Sequence, residues 1–227
     1  MAVRVSQPSL FDPPDEPVLR LAPRGRPRPY DLTAGLEEAA RAVSALVPEL
    51  QAIKTGEVLF TVYPARLASR SYTIARCYPL PWEARRKARR WQKLTAHVTP
   101  SGARARYILA FAWPRFFTLP PRDRLETLLH ELYHIGPNFD GQPRAFPGYG
   151  WHGRSLAWFD AQVRGMAERH VPAGTELTLP ALARPLAELR DVKGERLILP
   201  TWWTVASAAE TPKAAAQRPA ARLSDPG

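Results

Sequence analysis

The run at 128–137, Leu-Leu-His-Glu-Leu-Tyr-His-Ile-Gly-Pro, constrains the fold more than any other part of the chain. His130 and His134 are four residues apart, so a helix would place them one turn apart on the same face. Their imidazoles can then hold one zinc ion from the same side, and Glu131 can reach a water on that metal. The pattern therefore predicts a helix that carries a metal site.

The flanking sequence contains signals for both ends of this helix. Pro121 favours its start, and Asp123 suits the positive N-terminal end of the helix dipole. Gly136 and Pro137 should end the helix just after His134. Apolar residues at helical spacing supply a stripe that can be buried: Leu125, Leu128, Leu129, Leu132 and Ile135.

A catalytic zinc site needs a third protein ligand and one open position. The chain offers three candidates: Asp140, Glu168 and His152. We favour His152 because it follows a glycine- and proline-rich loop that can fold back towards the first two histidines. It also precedes a second predicted helix at 154–169, whose buried face would contain Leu156, Phe159, Val163 and Met166.

The two histidine motifs together resemble those of the SprT-like (Spartan-like) metallopeptidases and the related phage metallopeptidases. Those families carry His-Glu-x-x-His, a loop, and then His-Gly at the start of a helix, as at His152-Gly153 here. The resemblance spans about 105–169. Two features depart from it: Leu156 stands where the family often has an aromatic residue, and no cysteine zinc ribbon follows the core.

This resemblance implies a zincin-like fold with His130, His134 and His152 as Zn²⁺ ligands. Glu131 would be the general base that helps water attack a peptide bond. The implied substrate is protein, including protein that is bound or crosslinked to DNA. We therefore expect an α+β metallopeptidase domain, in which a small mixed or antiparallel sheet packs on the active-site helix.

Composition divides the chain into four parts. Residues 1–30 and 207–227 are rich in proline or alanine and are predicted to be disordered tails. The metallopeptidase domain is expected at 31–172, followed by a small β-rich extension at 173–206. Within that extension we predict a strand at 196–199, with Trp202 and Trp203 packing on the core.

Inside the central domain, periodicity predicts one helix and several strands. The helix at 31–53 should be kinked or split by Pro48. Strands are expected at 57–63 and 71–78, and a hairpin at 94–99 and 104–112. We expect its second strand, 107–112, to be an edge strand that lines the substrate cleft. In the loop at 138–151, Arg144 and Tyr149 are candidates for stabilising an oxyanion, although the loop's aromatic residues favour a purely structural role.

The net charge of +11 indicates a polyanionic partner such as DNA. The charge is densest in a run of six basic residues: Arg85, Arg86, Lys87, Arg89, Arg90 and Lys93. We predict that this run contacts phosphates, with Trp82 or Trp91 stacking on an unpaired base. The alternative is a solvated helix whose tryptophans anchor it to the core, which we favour for Trp91.

The N-terminal tail contains Gln7-Pro8-Ser9-Leu10-Phe11, which resembles the Gln-x-x-Leu-Phe peptides that bind bacterial sliding clamps. Leu10 and Phe11 would fill an apolar pocket while the Gln7 amide adds hydrogen bonds. An alternative is a segment that packs on its own domain or binds nothing.

Cys77 is the single cysteine, which fits a reducing cytoplasm, and we expect neither a signal peptide nor a membrane span. The function that unites these patterns is a cytoplasmic zinc metalloprotease acting on DNA-associated proteins. One rival is a nucleic-acid-binding module in which a structural zinc takes a fourth protein ligand, for which Asp140 is the candidate. A second rival is a phage-type metallopeptidase with no DNA role.

Overall fold

The computed structural model describes residues 30–65, 73–189 and 202–205. Helix α1 (Leu32–Leu46) begins after Asp31, whose carboxylate accepts a hydrogen bond from the Ala34 N–H at 3.0 Å. It ends at Val47 because Pro48 starts a separate 3₁₀ turn, Pro48–Leu50. The prediction that Pro48 interrupts this helix is confirmed.

The described part of the chain contains six strands in two sheets. They are β1 (Val58–Pro64), β2 (Ala75–Pro79), β3 (Arg85–Lys87), β4 (Arg90–Leu94), β5 (Tyr107–Trp113) and β6 (Trp202–Val205). The central sheet has the order β1-β5-β2, with β1 parallel and β2 antiparallel to β5. The molecule is therefore a mixed α+β structure, as expected.

Strand β5 lies in the middle of this sheet, so the prediction of an edge strand at 107–112 is wrong. Residues Tyr107 to Ala112 are all buried, which is typical of a strand covered on both faces. Within the described residues β2 is the edge strand instead. The hairpin predicted from 94–99 and 104–112 does not form as two paired strands. These two segments are joined by one isolated bridge, from Val98 to Arg104.

Helix α2 (Pro121–Tyr133) carries the histidine motif and contacts α1, β2 and helix α3 (Leu156–His170). Its leucines enter the main core together with residues of the central sheet such as Leu109 and Phe111. A cavity-forming change in this core would cost about 2–5 kcal/mol. Packing on three sides thus fixes the rotation of α2, and with it the direction of its histidines.

The basic run forms a β-hairpin, not a helix, which corrects the helical interpretation of 83–93. Strands β3 and β4 are antiparallel, and β6 pairs with the other side of β4. The run contains no apolar stripe that a helix could bury, whereas as strands its backbone groups find partners on both sides of β4. The turn between the strands is Ala88-Arg89.

The segment that follows α3 is helical, so the predicted β-rich extension is wrong for 175–189. It contains α4 (Thr175–Thr178), α5 (Pro180–Ala183) and a 3₁₀ turn, Leu186–Leu189. Pro180 occupies the first turn of α5, a position that suits proline. Leu182 and Leu189 belong to the main core, so this segment is part of the central domain.

The strand predicted at 196–199 lies outside the described residues, whereas β6 is present and pairs with β4. None of the helices in the described ranges has the length and hydropathy needed to cross a membrane.

Candidate metal centre

Three histidines come together at the C-terminal end of α2. His130 lies in the last turn and His134 is the C-cap residue, which places their imidazoles on the same side of the helix. Their Nε2 atoms are 3.2 Å apart. His152 joins them from the turn before α3, and one nitrogen from each ring lies within 4.8 Å of the others.

The loop after α2 folds back and so carries His152 to this position. Arg144 fixes the loop, since its backbone N–H donates to the His134 carbonyl at 2.7 Å and its Nε donates to the Tyr133 carbonyl at 2.7 Å. The Tyr107 hydroxyl, from the central strand, donates to the Gln142 carbonyl at 2.8 Å. Its Nη2 also donates to the Glu49 carbonyl at 3.3 Å, and Arg144 does not line the cleft, so the structure gives it the role of a loop anchor.

Position 153, directly after His152, requires glycine because of its backbone conformation and because the Trp158 ring packs against it. Gly153 has φ +61, and a Cβ there would overlap the Trp158 ring. The tight turn is closed by a bridge from Gly150 to Gly153. It leads directly into α3, whose cap Ser155 accepts a hydrogen bond from the Trp158 N–H at 3.1 Å.

Phe159 on α3 supports all three histidine rings. Its ring centroid lies 4.7 Å from that of His130, 4.6 Å from that of His134 and 5.2 Å from that of His152. Phe159 is fully buried, so it limits the rotation of the imidazoles and excludes water from behind them.

Asp160 orients one of the ligands. Its Oδ1 lies 2.9 Å from His130 Nδ1, a contact in which the ring nitrogen donates. The lone pair of a neutral imidazole then sits on Nε2, which faces His134. Burial lowers the pKa of His130, with Asp160 opposing that shift, and burial lowers the pKa of His134 to about 3. Both rings are therefore neutral at pH 7 and able to bind a cation.

The two histidines of α2 are spaced as a zinc-like ion requires. With metal–nitrogen bonds of about 2.0–2.1 Å, tetrahedral coordination places ligand nitrogens about 3.3 Å apart. The observed Nε2–Nε2 distance of 3.2 Å between His130 and His134 agrees with that spacing. Three histidine nitrogens with a carboxylate behind one of them also form the ligand pattern of catalytic metal sites.

Glu131 lies beside the histidines and is 6% exposed. Burial raises the pKa of its carboxyl to about 8, although a hydrogen bond from the Cys77 backbone N–H and the charge of Arg76 oppose the shift. Glu131 is thus held by the edge strand β2 and not by the histidines. A carboxyl group with this pKa can take up and release a proton near neutral pH.

Comparison with known proteins gives one match. A family model described as "Putative phage metallopeptidase" matches residues 33–168, more than half of the chain. The chain belongs to this family. The matched region contains the three histidines and Glu131. No curated protein and no solved structure matched the chain.

In this member of the phage metallopeptidase family, the histidines open into a cleft of about 960 Å³. Residues 73–78, on and just before β2, form one wall, and α2 and α3 form the other. Trp151 and Leu156 lie at its rim and are exposed. The three histidines are therefore reached from an open cleft.

The structure brings His130, Glu131, His134 and His152 together, but it does not add the other predicted ligands. Asp140 is exposed, and its Oδ1 accepts a hydrogen bond from the Gln142 N–H at 3.0 Å. Glu168 is exposed on α3. Neither belongs to the histidine cluster or to the cleft wall.

Other predicted site residues lie away from this centre. Tyr149 is 58% exposed and does not line the cleft, so the structure gives it no oxyanion role. The basic run lies on β3 and β4. The tail residues Gln7, Leu10 and Phe11 lie outside the described residues.

Sequence reasoning missed Asp160 and Arg76, both of which line the cleft. The sequence does contain a signal for Asp160, because this carboxylate lies four residues after Leu156 and three before Val163, within the helix face predicted to be apolar. It contains no signal for Arg76, since the proximity of Arg76 to Glu131 depends on how β2 packs against α2.

Proposed function

We propose that this chain is a zinc-dependent peptidase with a zincin-like, SprT-like catalytic arrangement. The observation that carries the proposal is the placement of Glu131 beside the three-histidine cluster, on the floor of an open cleft. The alternative of a structural zinc calls for a fourth protein ligand. Asp140, the residue expected to provide it, is not part of the cluster.

His130, His134 and His152 would hold the ion, and Asp160 would keep His130 in the correct tautomer. When bound, zinc supplies Lewis acidity, which polarises the scissile carbonyl and lowers the pKa of a water to ~7. Glu131 accepts the proton of the attacking water as the carbon–oxygen bond forms. It then donates that proton to the amine nitrogen as the peptide bond breaks.

The edge of β2 supplies a way to bind an extended substrate. Ile74 accepts from the Ala112 N–H and Leu80 donates to the Arg106 carbonyl, so even-numbered residues pair with β5. The backbone groups of Ala75 and Cys77 therefore point away from β5. The Cys77 N–H is used by Glu131. Within the described residues, this leaves the Ala75 groups to pair with a peptide added as a strand.

The composition of the chain supports a protein substrate near DNA. The net charge of +11 suits a polyanionic setting, and the single cysteine suits a reducing compartment. We therefore retain DNA-associated proteins as the proposed substrates and the cytoplasm as the proposed location. A sliding clamp remains the proposed partner of the N-terminal peptide Gln7–Phe11.

The test separates metal binding from catalysis by measuring zinc content and cleavage of an unfolded protein substrate. Glu131→Gln should keep zinc and lose cleavage, whereas His152→Ala should lose both. Asp140→Asn is the matched control and should keep both. Cleavage at the wild-type rate by Glu131→Gln, or by zinc-free wild type, would refute the proposal.

A further inference from the structure

The hairpin of β3 and β4 is a strongly basic and exposed element. We call residues 85–93 the basic ribbon; six of its nine residues are lysine or arginine and none is acidic. Successive strand residues point to opposite faces, yet Arg85, Arg86 and Lys87 are all exposed. Both faces at the tip are therefore open to solvent. We propose that the basic ribbon binds duplex DNA by entering a groove and contacting phosphates.

The ribbon has the reach that such binding needs. Leu94, at the base of β4, is buried among Leu59, Leu80 and Ile108. From Leu94 to Arg89 the strand extends roughly 17 Å, since each strand residue advances about 3.3–3.4 Å. One end is thus anchored in the domain, while the charged residues at the other end are exposed.

The charges at the tip have no ion-pair partner in the part of the chain that the structure describes. Within the described residues, no carboxylate lies at ion-pair distance from Arg86, Lys87, Arg89 or Arg90. Elsewhere Glu57 pairs with Arg106 at 2.7 Å, so other basic residues of this protein do find partners. Like charges on one short hairpin repel one another, and phosphates would relieve that repulsion.

The turn at the tip keeps an arginine where the backbone disfavours it. Ala88 has φ 48 and Arg89 has φ 63, the left-handed pair of a type I′ turn. Asparagine and glycine are the preferred residues at these two positions. A strained turn that carries a charge instead of glycine is explained by a use for that charge at the tip.

The ribbon suits a duplex better than a single strand, because it offers few aromatic surfaces to unpaired bases. Trp82, predicted to stack on a base, already has the Arg106 guanidinium 3.8 Å from its ring centroid, and its Nε1 donates to the Ala105 carbonyl. Trp91 is half-buried and pairs across the hairpin with Arg86. Among the described residues β6 pairs with β4 only from Trp91 to Leu94, so the tip from Lys87 to Arg90 is two-stranded. The major groove of B-DNA admits a two-stranded ribbon, whereas that of A-form RNA is too narrow.

The experiment measures binding of the full-length, zinc-loaded chain to a labelled duplex by fluorescence anisotropy over a range of salt concentrations. The ribbon variant carries Arg86→Gln, Arg89→Gln and Arg90→Gln. Its affinity at low salt should fall at least tenfold, and its salt slope should fall by about 2–3, because each phosphate contact contributes about 0.9. The matched control removes three exposed charges elsewhere, with Arg41→Gln, Lys54→Gln and Arg169→Gln.

The control should bind within about twofold of wild type. Equal losses in both variants would reduce the effect to net charge and overturn the proposal, as would an unaffected ribbon variant. Tighter binding of single-stranded DNA or duplex RNA than of duplex DNA would overturn the groove assignment.

If the triple variant does not fold, a second variant decides the question. Ala88→Asn with Arg89→Gly places preferred residues in the turn and removes one charge. It should melt no lower than wild type while the salt slope falls by about one. An unchanged slope in this variant would count against the ribbon. The assay reads binding alone, so its failure would leave the proposed peptidase activity standing.

Discussion

At the scale of single residues, Asp160 determines which nitrogen of His130 is available to a metal. Its carboxylate accepts the Nδ1 proton at 2.9 Å and thereby leaves Nε2 unprotonated, opposite His134. Without that acceptor the ring could exchange tautomers or rotate. The folded protein therefore holds His130 in the orientation for metal binding before a metal binds.

Asp160→Ala should weaken zinc binding by about 10–100-fold, the usual effect of removing an outer-shell partner. Asp160→Asn keeps an acceptor oxygen and should lose less. Competition with a chelator of known affinity measures both, and Asp123→Asn, another carboxylate on the cleft wall, is the control. Equal affinities for Asp160→Ala and wild type would show that Phe159 alone positions the ring.

The buried ionisable groups predict how the stability of the metal-free protein depends on pH. Burial lowers the pKa of His134 from 6.5 to about 3 in the folded state, so the unfolded chain binds more protons across that interval. Stability should therefore fall as the pH drops below 6.5. Burial raises the pKa of Glu131 from 4.5 to about 8, so the folded state binds more protons there and stability should fall as the pH rises from 4.5 towards 8.

The two effects predict a broad maximum of unfolding free energy between about pH 4.5 and 6.5. Urea denaturation of the metal-free chain across this range measures it. In Glu131→Gln the decline on the alkaline side should shrink, while the decline on the acid side should remain. A wild-type stability that keeps rising from pH 5 to 8 would contradict the expected role of Glu131.

At the scale of elements, Arg124 joins α2 to the segments on either side of it. It is 3% exposed, and its guanidinium donates to the carbonyls of Phe117, Leu119, Leu182 and Arg184. These carbonyls lie at the C-terminal ends of a 3₁₀ turn, Arg115–Thr118, and of α5, where backbone acceptors lack partners within the helix. Arg124 thus holds the helix with the histidine motif against the C-terminal segment.

Arg124→Leu should lower the free energy of unfolding by roughly 3 kcal/mol, because it leaves several buried acceptors unpaired. Urea denaturation measures the change. Arg122→Gln, on the same helix, removes only a partly exposed pair with Glu126 at 3.2 Å and should cost about 0–1 kcal/mol. Similar losses in the two variants would mean that the carbonyls find other donors, such as water.

Elements whose signals are local could be predicted from sequence, and those that depend on distant pairing could not. Pro121 and Gly136 mark the ends of α2, and Pro48 marks the break after α1, because each acts on its own backbone. The ribbon, by contrast, is completed by β6, more than a hundred residues later. The central position of β5 likewise depends on β1 and β2, although its uniformly apolar sequence is consistent with it.

At the scale of the whole molecule, the candidate metal centre and the basic ribbon are linked through one stretch of chain. Strand β2 forms a wall of the cleft, and β3 begins shortly after it ends. Cys77, which contacts Glu131, is eight residues from Arg85, so the two lie at most roughly 28 Å apart. DNA held by the ribbon would therefore bring its bound proteins close to the cleft.

This proximity predicts that duplex DNA accelerates cleavage of a DNA-binding protein. Binding enzyme and substrate to one duplex raises their effective concentration, so at low enzyme concentration the rate should rise about tenfold or more. A gel assay of an unfolded tail fused to a DNA-binding domain, with and without duplex, measures the effect.

The variant with Arg86→Gln, Arg89→Gln and Arg90→Gln should keep the DNA-free rate and lose the acceleration, since its cleft is unaltered. Glu131→Gln should be inactive in both conditions. If the ribbon variant were accelerated as strongly as wild type, the DNA would be acting through the substrate alone, and the link between ribbon and cleft would have no functional role.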